Sequence, residues 1–423
     1  MKQVQSLILL TSRFPYSPGE EFIYNEVKVL AEKFEKVIIV PTNQECWNLA
    51  RPHKRDLPGN VNVEILKSPI RNLKYRKMLN LIKGFTNSQV RSWYKKDLNN
   101  ASRFGLKGKF KLYKWIVDAN QIQNQLGSIE KAADGSSIYY SYWLTPAAAS
   151  LAMEKEKRSI KAVSRVHGGD LYSERHALPY LPLQEEVIRS LDKTYSISSN
   201  GKQYLANKFP EINQKIEVSR LGTKGIEHSY GEVEQKSDEL KLVSVSYLKS
   251  VKRVHLIAEA IKKAAVPIHW IHIGDGPEKE RIQHIIEEFP AQCKGELVGN
   301  FTNDEVIQTL GSQPFDLFLN VSESEGIPVT IMEAFSAKIP AIATNVGGTT
   351  EVVNDRNGWL LDKDFDPAQI TQILNDVFKQ PDHLLTKREK AYRTWKKEYF
   401  SDDNYARFAE NLQSLGALYD HEY

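Results

Sequence analysis

Residues 317–335 read LFLNVSESEGIPVTIMEAF. Leu317 to Val321 form a short apolar run that suits a buried strand. Ser322, Glu323, Ser324, Glu325 and Gly326 follow as a polar loop. Pro328 stands where a helix starts, and Val329 to Phe335 carry that helix. Amides exposed in a first helical turn bear partial positive charge and suit a phosphate. Glu325 projects from the loop at that end, and Glu333 sits deeper in the helix. Two acceptor carboxylates at different depths suit a hydroxyl-rich ligand, such as a sugar ring and a ribose. A chance pair of glutamates on a solvated face is the competing reading. The strand-loop-helix context and the Gly326-Ile327-Pro328 turn weigh against it.

The same alternation runs outward in both directions. Upstream, KLVSVSYL and IHWIHIGDG read as strands, and RVHLIAEAIKKA and PEKERIQHIIEEF as helices, the latter opened by Pro277. Downstream, PAIATN and GWLLD are strands, and the chain ends in one or two amphipathic helices from about Lys387. An earlier series holds QSLILLTS, KVIIVPT, VNVEIL, SIYYSYW, AVSRVHG and KTYSISS as strands. Within it, Phe22, Val27, Leu30, Ala31 and Phe34 recur at helical spacing. Strands alternating with helices argue for parallel α/β units. The polar stretch Gly231 to Glu239 lacks periodicity and marks an inter-domain connection. The expected fold class is α/β, with two Rossmann-like halves and a ligand cleft at their strand ends.

Length and composition agree. A chain of 423 residues holds two or three domains at roughly 100–200 residues each. With 41% hydrophobic and 26% charged residues, it is neither fibrous nor wholly disordered. Cys46 and Cys293 are the only cysteines, too few for a disulfide scaffold and without a CxxC pair for a metal. The opening apolar run is too short for a signal peptide, and no segment approaches the ~18 apolar residues of a membrane span. A cytoplasmic chain that can touch a membrane surface is expected.

The net charge of +4 conceals an asymmetry. From Lys67 to Lys114 there are fourteen Lys and Arg against the single acid Asp97, a surplus of +13. The remainder of the chain therefore sums to −9. Tyr75, Trp93, Tyr94, Phe104, Phe110, Tyr113 and Trp115 are interleaved with the basic residues. Clustered cations with aromatics suit an anionic leaflet. A solvated helical face is the plainer reading. No nucleic-acid motif accompanies the charge.

Residues 322–335 also resemble the E-x7-E signature of retaining glycosyltransferases of the GT4 type, with the GT-B fold. Further segments resemble that family in order: FPYSPGEEFIYNEVKVLA, RVHGGD, SRLGT, VSYLKSVKRVHLIAEAI, IGDGPEKERI, VGNFTNDEV, NVGGTTEVV and NGWLL. The resemblance implies a GT-B enzyme with an N-terminal acceptor domain over 1–219 and a nucleotide-sugar donor domain over 220–399. It also implies a final helix, 400–423, packing back on the first domain. Glu325 would bind hydroxyls of the donor sugar and Glu333 the ribose. Lys252 would neutralise the pyrophosphate, with backbone near Gly326, Ile327 and Gly19 close to it. His167 would contact the donor sugar, and Gly274 and Gly276 would form a turn near the base. Asp170 would orient the His167 imidazole or bind an acceptor hydroxyl.

Two positions depart from the family pattern. Tyr247 occupies the place of an arginine, so Arg253 is expected to add phosphate charge. Glu20 follows Gly19 where a second glycine is usual, so its side chain must turn away from the phosphate or toward the acceptor.

The resemblance further implies transfer of a sugar from a UDP- or GDP-type donor to a glycan or lipid-linked acceptor, with retained configuration and closure of the halves over the donor. The leaving phosphate takes the acceptor proton. No cofactor, no metal and no nucleic acid are implied. A nicotinamide-dependent oxidoreductase would need a full GxGxxG, which the lone Gly274-Asp275-Gly276 does not supply. A non-catalytic nucleotide-sugar or glycan-binding protein is the remaining alternative.

Overall fold

The computed structural model describes residues 6–17, 19–20, 22–43, 54–67, 73–133, 136–226 and 238–417. The chain divides into two compact units, Met1–Arg220 with Asp402–Tyr423, and Leu221–Ser401.

The first unit holds a seven-stranded parallel sheet in the order β3-β2-β1-β4-β5-β6-β7. Its strands are β1 (Ser6–Thr11), β2 (Lys36–Pro41), β3 (Val61–Val63), β4 (Ser137–Ser141), β5 (Lys161–Val166), β6 (Lys193–Ser196) and β7 (Ile216–Val218). Its helices are α1 (Ile23–Lys33), α2 (Leu73–Thr86), α3 (Ser88–Ser102), α4 (Gly105–Lys131), α5 (Pro146–Lys155), α6 (Gly168–Leu171), α7 (Gln184–Ser190) and α8 (Ser199–Lys208).

All six residues of β1 are buried, because helices cover both faces of the sheet. Successive side chains serve opposite faces. Leu7 and Leu9 join one core with Val27 and Leu30 of α1. Ile8 and Leu10 join another with Trp93, Leu112 and Ile116 of α3 and α4. Ile8 pairs with Ile38 on one side and Tyr139 on the other.

The second unit holds a six-stranded parallel sheet in the order β10-β9-β8-β11-β12-β13. Its strands are β8 (Leu240–Val245), β9 (Ile268–Ile273), β10 (Cys293–Leu297), β11 (Leu317–Asn320), β12 (Ala341–Thr344) and β13 (Gly358–Leu361). Its helices are α9 (Val254–Lys262), α10 (Lys279–Glu287), α11 (Asn303–Ser312), α12 (Val329–Ser336), α13 (Thr349–Val352), α14 (Pro367–Lys379) and α15 (Pro381–Glu398). The last helix, α16 (Ser401–Ala417), gives Phe408, Ala409 and Leu412 to the α1-side core of the first unit.

The alternation read from the sequence holds, with local differences. Residues 73–131 form three helices inserted between β3 and β4, a stretch whose high charge hid its periodicity. Their inner stripe is visible in α3, where Val90, Trp93, Asp97 and Ala101 are buried at spacings of three and four. Only Val61–Val63 of VNVEIL is strand, and β7 and β10 were not anticipated. Pro277 precedes α10, which starts at Lys279. The connection expected at Gly231 to Glu239 falls mostly outside the described residues, and Cys46 lies outside them entirely.

Both sheets reverse their strand order at one place, between β1 and β4 and between β8 and β11. Loops leaving adjacent parallel strands in opposite directions open a crevice at the carboxyl edge. The sequence places Gly19, Glu20 and Trp143 after β1 and β4, and Lys252 and Glu325 after β8 and β11.

Candidate functional site

In the second unit the loops after β8 and β11 meet. Lys252 Nζ donates to Glu325 Oε1 at 2.5 Å. Ser322 Oγ lies 2.6 Å from the same oxygen and 2.8 Å from Asn320 Oδ1. The Glu323 amide donates to the Val251 carbonyl at 2.8 Å, strapping one loop to the other. Both charged side chains are mostly covered, with 28% of Lys252 and 13% of Glu325 exposed. A cation and a carboxylate therefore share one partly dry spot close to the start of α12.

Arg253 is tied to the backbone of the neighbouring loops. Its backbone is left-handed, at φ 50°, between a 3-10 turn and α9. Its guanidinium donates to the carbonyls of Val321 (2.8 Å), Lys363 (2.6 Å) and Ser322 (3.3 Å). These bonds hold the Glu325 loop beside the Lys252 turn, so the contacts of Arg253 are those of a positioning residue. Burial lowers its pKa. At the departure from the family pattern, Tyr247 is 49% exposed and Lys249 Nζ lies 4.9 Å from its ring centroid. A cation thus reaches that place from a neighbouring side chain.

Glu333 lies on the buried face of α12, 5% exposed. Asn303 Nδ2 donates to its Oε1 at 2.9 Å. Burial pushes its carboxyl up to about 7, against the smaller pull of Asn303. Such a group is ready to exchange its proton for hydroxyl donors.

The glycines are explained by close backbone approach. A Cβ on Gly347, at φ 53°, would sit 2.0 Å from the Glu325 carbonyl oxygen. The Gly348 amide donates to the Gly326 carbonyl at 2.7 Å, and Ile327 is buried beneath the loop. Gly274, at φ 143°, would drive a Cβ to 1.8 Å from the Ser246 carbonyl. The turn containing Gly276 is tied to the loop after β8 by Leu248 and Glu278 amide bonds. These glycines shape the loops that carry Lys252 and Glu325.

In the first unit His167 follows β5 directly and caps α6. Its ring packs against Tyr142 and Trp143, with centroids 4.8 and 4.3 Å apart. Nδ1 and Nε2 are both buried with no hydrogen-bond partner among the described residues. Burial, aided by the Arg165 charge, holds the imidazole well below the ordinary histidine range. It is a neutral ring with both nitrogens unused.

Asp170 does not orient that ring. Its carboxylate accepts from the backbone amides of His167 (2.5 Å) and Leu144 (2.6 Å). It fixes where the histidine starts its helix. Burial pushes the Asp170 carboxyl up to about 7.

Glu20 turns back on its own loop, at φ 60°. It accepts from the amides of Ser12 (3.0 Å), Arg13 (2.5 Å) and Phe14 (2.6 Å), and from Trp143 Nε1 at 2.5 Å. Gly19 precedes it at φ 99°, and Arg55 Nη1 donates to the Gly19 carbonyl at 3.3 Å. Trp143 thus links Glu20 to the His167 ring. The sequence reading missed it, although it stands directly after β4 beside the reversal point.

A cavity of about 540 Å³ opens here, lined by Glu20, Lys77, Lys114, Asp118, Trp143 and Asp170 among others. Lys114 Nζ pairs with Asp118 at 2.7 Å. Burial raises the Asp118 pKa, opposed by Lys114 and Lys77. Among the described residues no group of three or more His, Cys, Asp or Glu could hold a metal ion.

Residues 227–397 match the family model of glycosyl transferases group 1. The chain is 30% identical over 209 residues to the putative colanic acid biosynthesis glycosyltransferase WcaL of Escherichia coli, covering 48% of this chain and 51% of WcaL. The family match covers most of the second unit of the chain. The chain spans about half the length of the curated relatives it matches.

Glycosyl transferases also share its fold. The chain is similar to the lipopolysaccharide outer core galactosyltransferase WaaB in its apo form, at TM-score 0.65 and 15% identity, covering 96% of this chain and 100% of WaaB. It is also similar to Anabaena HepE in complex with UDP and glucose, at TM-score 0.62 and 14% identity, covering 97% and 100%. At such identity the likeness shows the GT-B fold alone. Glu325 and Glu333, eight residues apart, both lie within the matched region.

Proposed function

We propose that this chain is a retaining glycosyltransferase that moves a sugar from a nucleoside diphosphate to an acceptor hydroxyl during cell-surface polysaccharide assembly. The observation that carries the reading is Lys252 held on Glu325 at the reversal point of the second sheet, close to the start of α12. The donor is of the UDP or GDP type. The name of WcaL supports the polysaccharide setting, and the UDP bound by HepE supports a nucleotide donor.

The residues divide the work. Lys252 and the first-turn amides of α12 stabilise charge developing on the leaving diphosphate. Glu325 accepts from donor sugar hydroxyls once Lys252 turns to phosphate. Glu333 accepts from ribose hydroxyls. His167, neutral and unpaired, exchanges a hydrogen bond with the sugar. An oxocarbenium-like transition state and a same-face path follow, with the leaving phosphate taking the acceptor proton. The acceptor is a glycan or a lipid-linked intermediate, and the cavity beside Glu20, Lys114, Asp118 and Asp170 is its place. The chain works in the cytoplasm, at the inner face of the membrane through the basic segment. No helix among the described residues is long and apolar enough to cross a membrane.

The test offers a panel of UDP- and GDP-sugars with a lipid extract as acceptor, and follows nucleoside diphosphate release. One donor should release diphosphate, faster with acceptor, and the product's anomeric configuration should match the donor. Nucleotide binding without any release would favour the non-catalytic alternative. An inverted product would end the retaining assignment.

A further inference from the structure

Helix α2 carries a stripe that a solvated helix does not need. Tyr75, Met78, Ile82 and Phe85 are 52%, 52%, 56% and 65% exposed. At 3.6 residues per turn they fall within about 80° of the helix circumference. Leu106 and Phe110 of α4 are 85% and 58% exposed. Single exposed apolar side chains are ordinary, but a contiguous set marks a docking surface.

The two helices are joined where this stripe ends. Phe85 stacks on Tyr113 with ring centroids 4.6 Å apart. Phe85 also walls an apolar groove of about 720 Å³ with Tyr94, Leu98, Leu106 and Phe110. Arg91, Lys95 and Lys109 line the same groove.

Among residues 73–114 the exposed charge has one sign. Lys74, Lys77, Lys83, Arg91, Lys95 and Lys107 are exposed. Asp97, the only acid of the segment, is buried, accepting from Tyr180 Oη at 2.5 Å and the Leu183 amide at 2.8 Å. Arg76 is also buried, and Lys111 donates to the Tyr180 carbonyl at 2.5 Å, so these two do not serve the surface. Exposed apolar side chains fringed by lysines fit a leaflet better than a protein, since lysine is depleted at protein interfaces. At a membrane the ammonium groups reach up to phosphates while their stems stay in apolar surroundings.

The surface also leads to the cavity described above. Phe110, Lys114, Asp118 and Ile122 follow one another at intervals of four along α4, a single ridge. Phe110 stands in the apolar groove, while Lys114, Asp118 and Ile122 line the cavity. Two helical turns cover about 11 Å.

We propose that the exposed face of α2 and the first turns of α4 docks in the plane of an anionic phospholipid leaflet. Tyr75, Met78, Ile82, Phe85, Leu106 and Phe110 enter the acyl region, and the groove takes one lipid chain. The inference deepens the acceptor side of the proposed function and rests on it for what the membrane supplies, an acceptor head group carried along the Phe110–Asp118 ridge into the cavity.

The full chain is mixed with vesicles of phosphatidylcholine alone, or of phosphatidylcholine and phosphatidylglycerol in equal parts, and the bound fraction is pelleted. Binding should favour the anionic vesicles. F85D/F110D should weaken partition by roughly tenfold or more, while the thermal shift given by UDP stays as in the parent. M78D/I82D, away from Tyr113, replaces that variant if it fails to fold. Equal binding to both vesicle types overturns the proposal, and so does unchanged partition of the folded aspartate variants. A dimer in solution that F85D/F110D dissolves would show that a second copy covers this face, and would also overturn it. If UDP gives no shift while vesicle binding behaves as expected, the donor reading fails and the docking face stands.

Discussion

Lys252 and Glu325 neutralise each other across two loops, 73 residues apart in sequence and 2.5 Å apart in space. A diphosphate competes with Glu325 for the same ammonium. Lys252→Ala removes one charge-assisted bond to phosphate, worth about 1.5–3 kcal/mol. UDP or GDP affinity should fall roughly tenfold to a hundredfold. Isothermal titration checks this, and unchanged affinity would take Lys252 out of the donor site.

Glu333 should make nucleotide binding depend on pH. Its carboxyl is pushed up to about 7 by burial. Ribose hydroxyls donate best to the ionised form, so affinity rises as pH passes upward through about 7 and is flat above it. The free protein shows the opposite trend in stability. The native state keeps a proton that the unfolded chain has released, so stability is lost as pH rises from about 4.5 to about 7. Glu333→Gln removes the affinity slope and the Glu333 share of the stability slope, leaving the share of Asp170, whose carboxyl burial also pushes up to about 7. Titrations with UDP or GDP at about pH 6 and about pH 8, on parent and variant, check the sign; a parent affinity that is constant or falls contradicts it.

Arg165 and Glu26 form an ion pair with no exposed surface, which Tyr140 Oη joins at 3.0 Å. The Arg165 guanidinium also lies over the Phe408 ring at 4.2 Å, so it ties α1, β5 and α16 together. Burial opposes its charge most strongly, but Glu26 together with Tyr140, Tyr142 and Tyr405 outweighs that and raises its pKa. Arg165→Met strands a buried carboxylate and should cost about 3–5 kcal/mol in urea unfolding. The double variant E26L/R165M should recover most of the loss. A double variant as unstable as the single would contradict the pairing.

Glu20 gathers three backbone amides and the Trp143 indole. Glu20→Gln keeps the shape but turns an amide donor toward other donors. Loss of stability by about 1–3 kcal/mol is expected, with nucleotide affinity unchanged. A variant within about 0.5 kcal/mol of the parent in urea unfolding would show that the loop does not depend on this carboxylate.

The sequence made visible what is local. The strand, loop and helix over 317–335 follow one another along the chain, so period and turn residues located Glu325 and Glu333 together. Contacts set by strand order stayed hidden. Trp143 meets Glu20 because β1 neighbours β4, and Asn303 meets Glu333 between α11 and α12. Neither pair is near in sequence. Arg253 was read as phosphate charge because its side chain type allows that. Its contacts, three backbone carbonyls, depend on where Val321 and Lys363 end up. The basic segment showed its charge but not its helices. Whether Ile82 and Phe110 face a core or water is fixed by packing, and composition does not carry that.

The most direct test of the donor site is a thermal-shift panel with UDP, GDP, ADP and CMP on the parent, Lys252→Ala and Glu333→Ala. A ligand at a hundred times its dissociation constant stabilises by about 2.7 kcal/mol. One of UDP or GDP should raise the unfolding temperature of the parent, and both variants should lose most of that rise at the same concentration. A parent that none of the four nucleotides stabilises would contradict the donor site built on Lys252, Glu325 and Glu333.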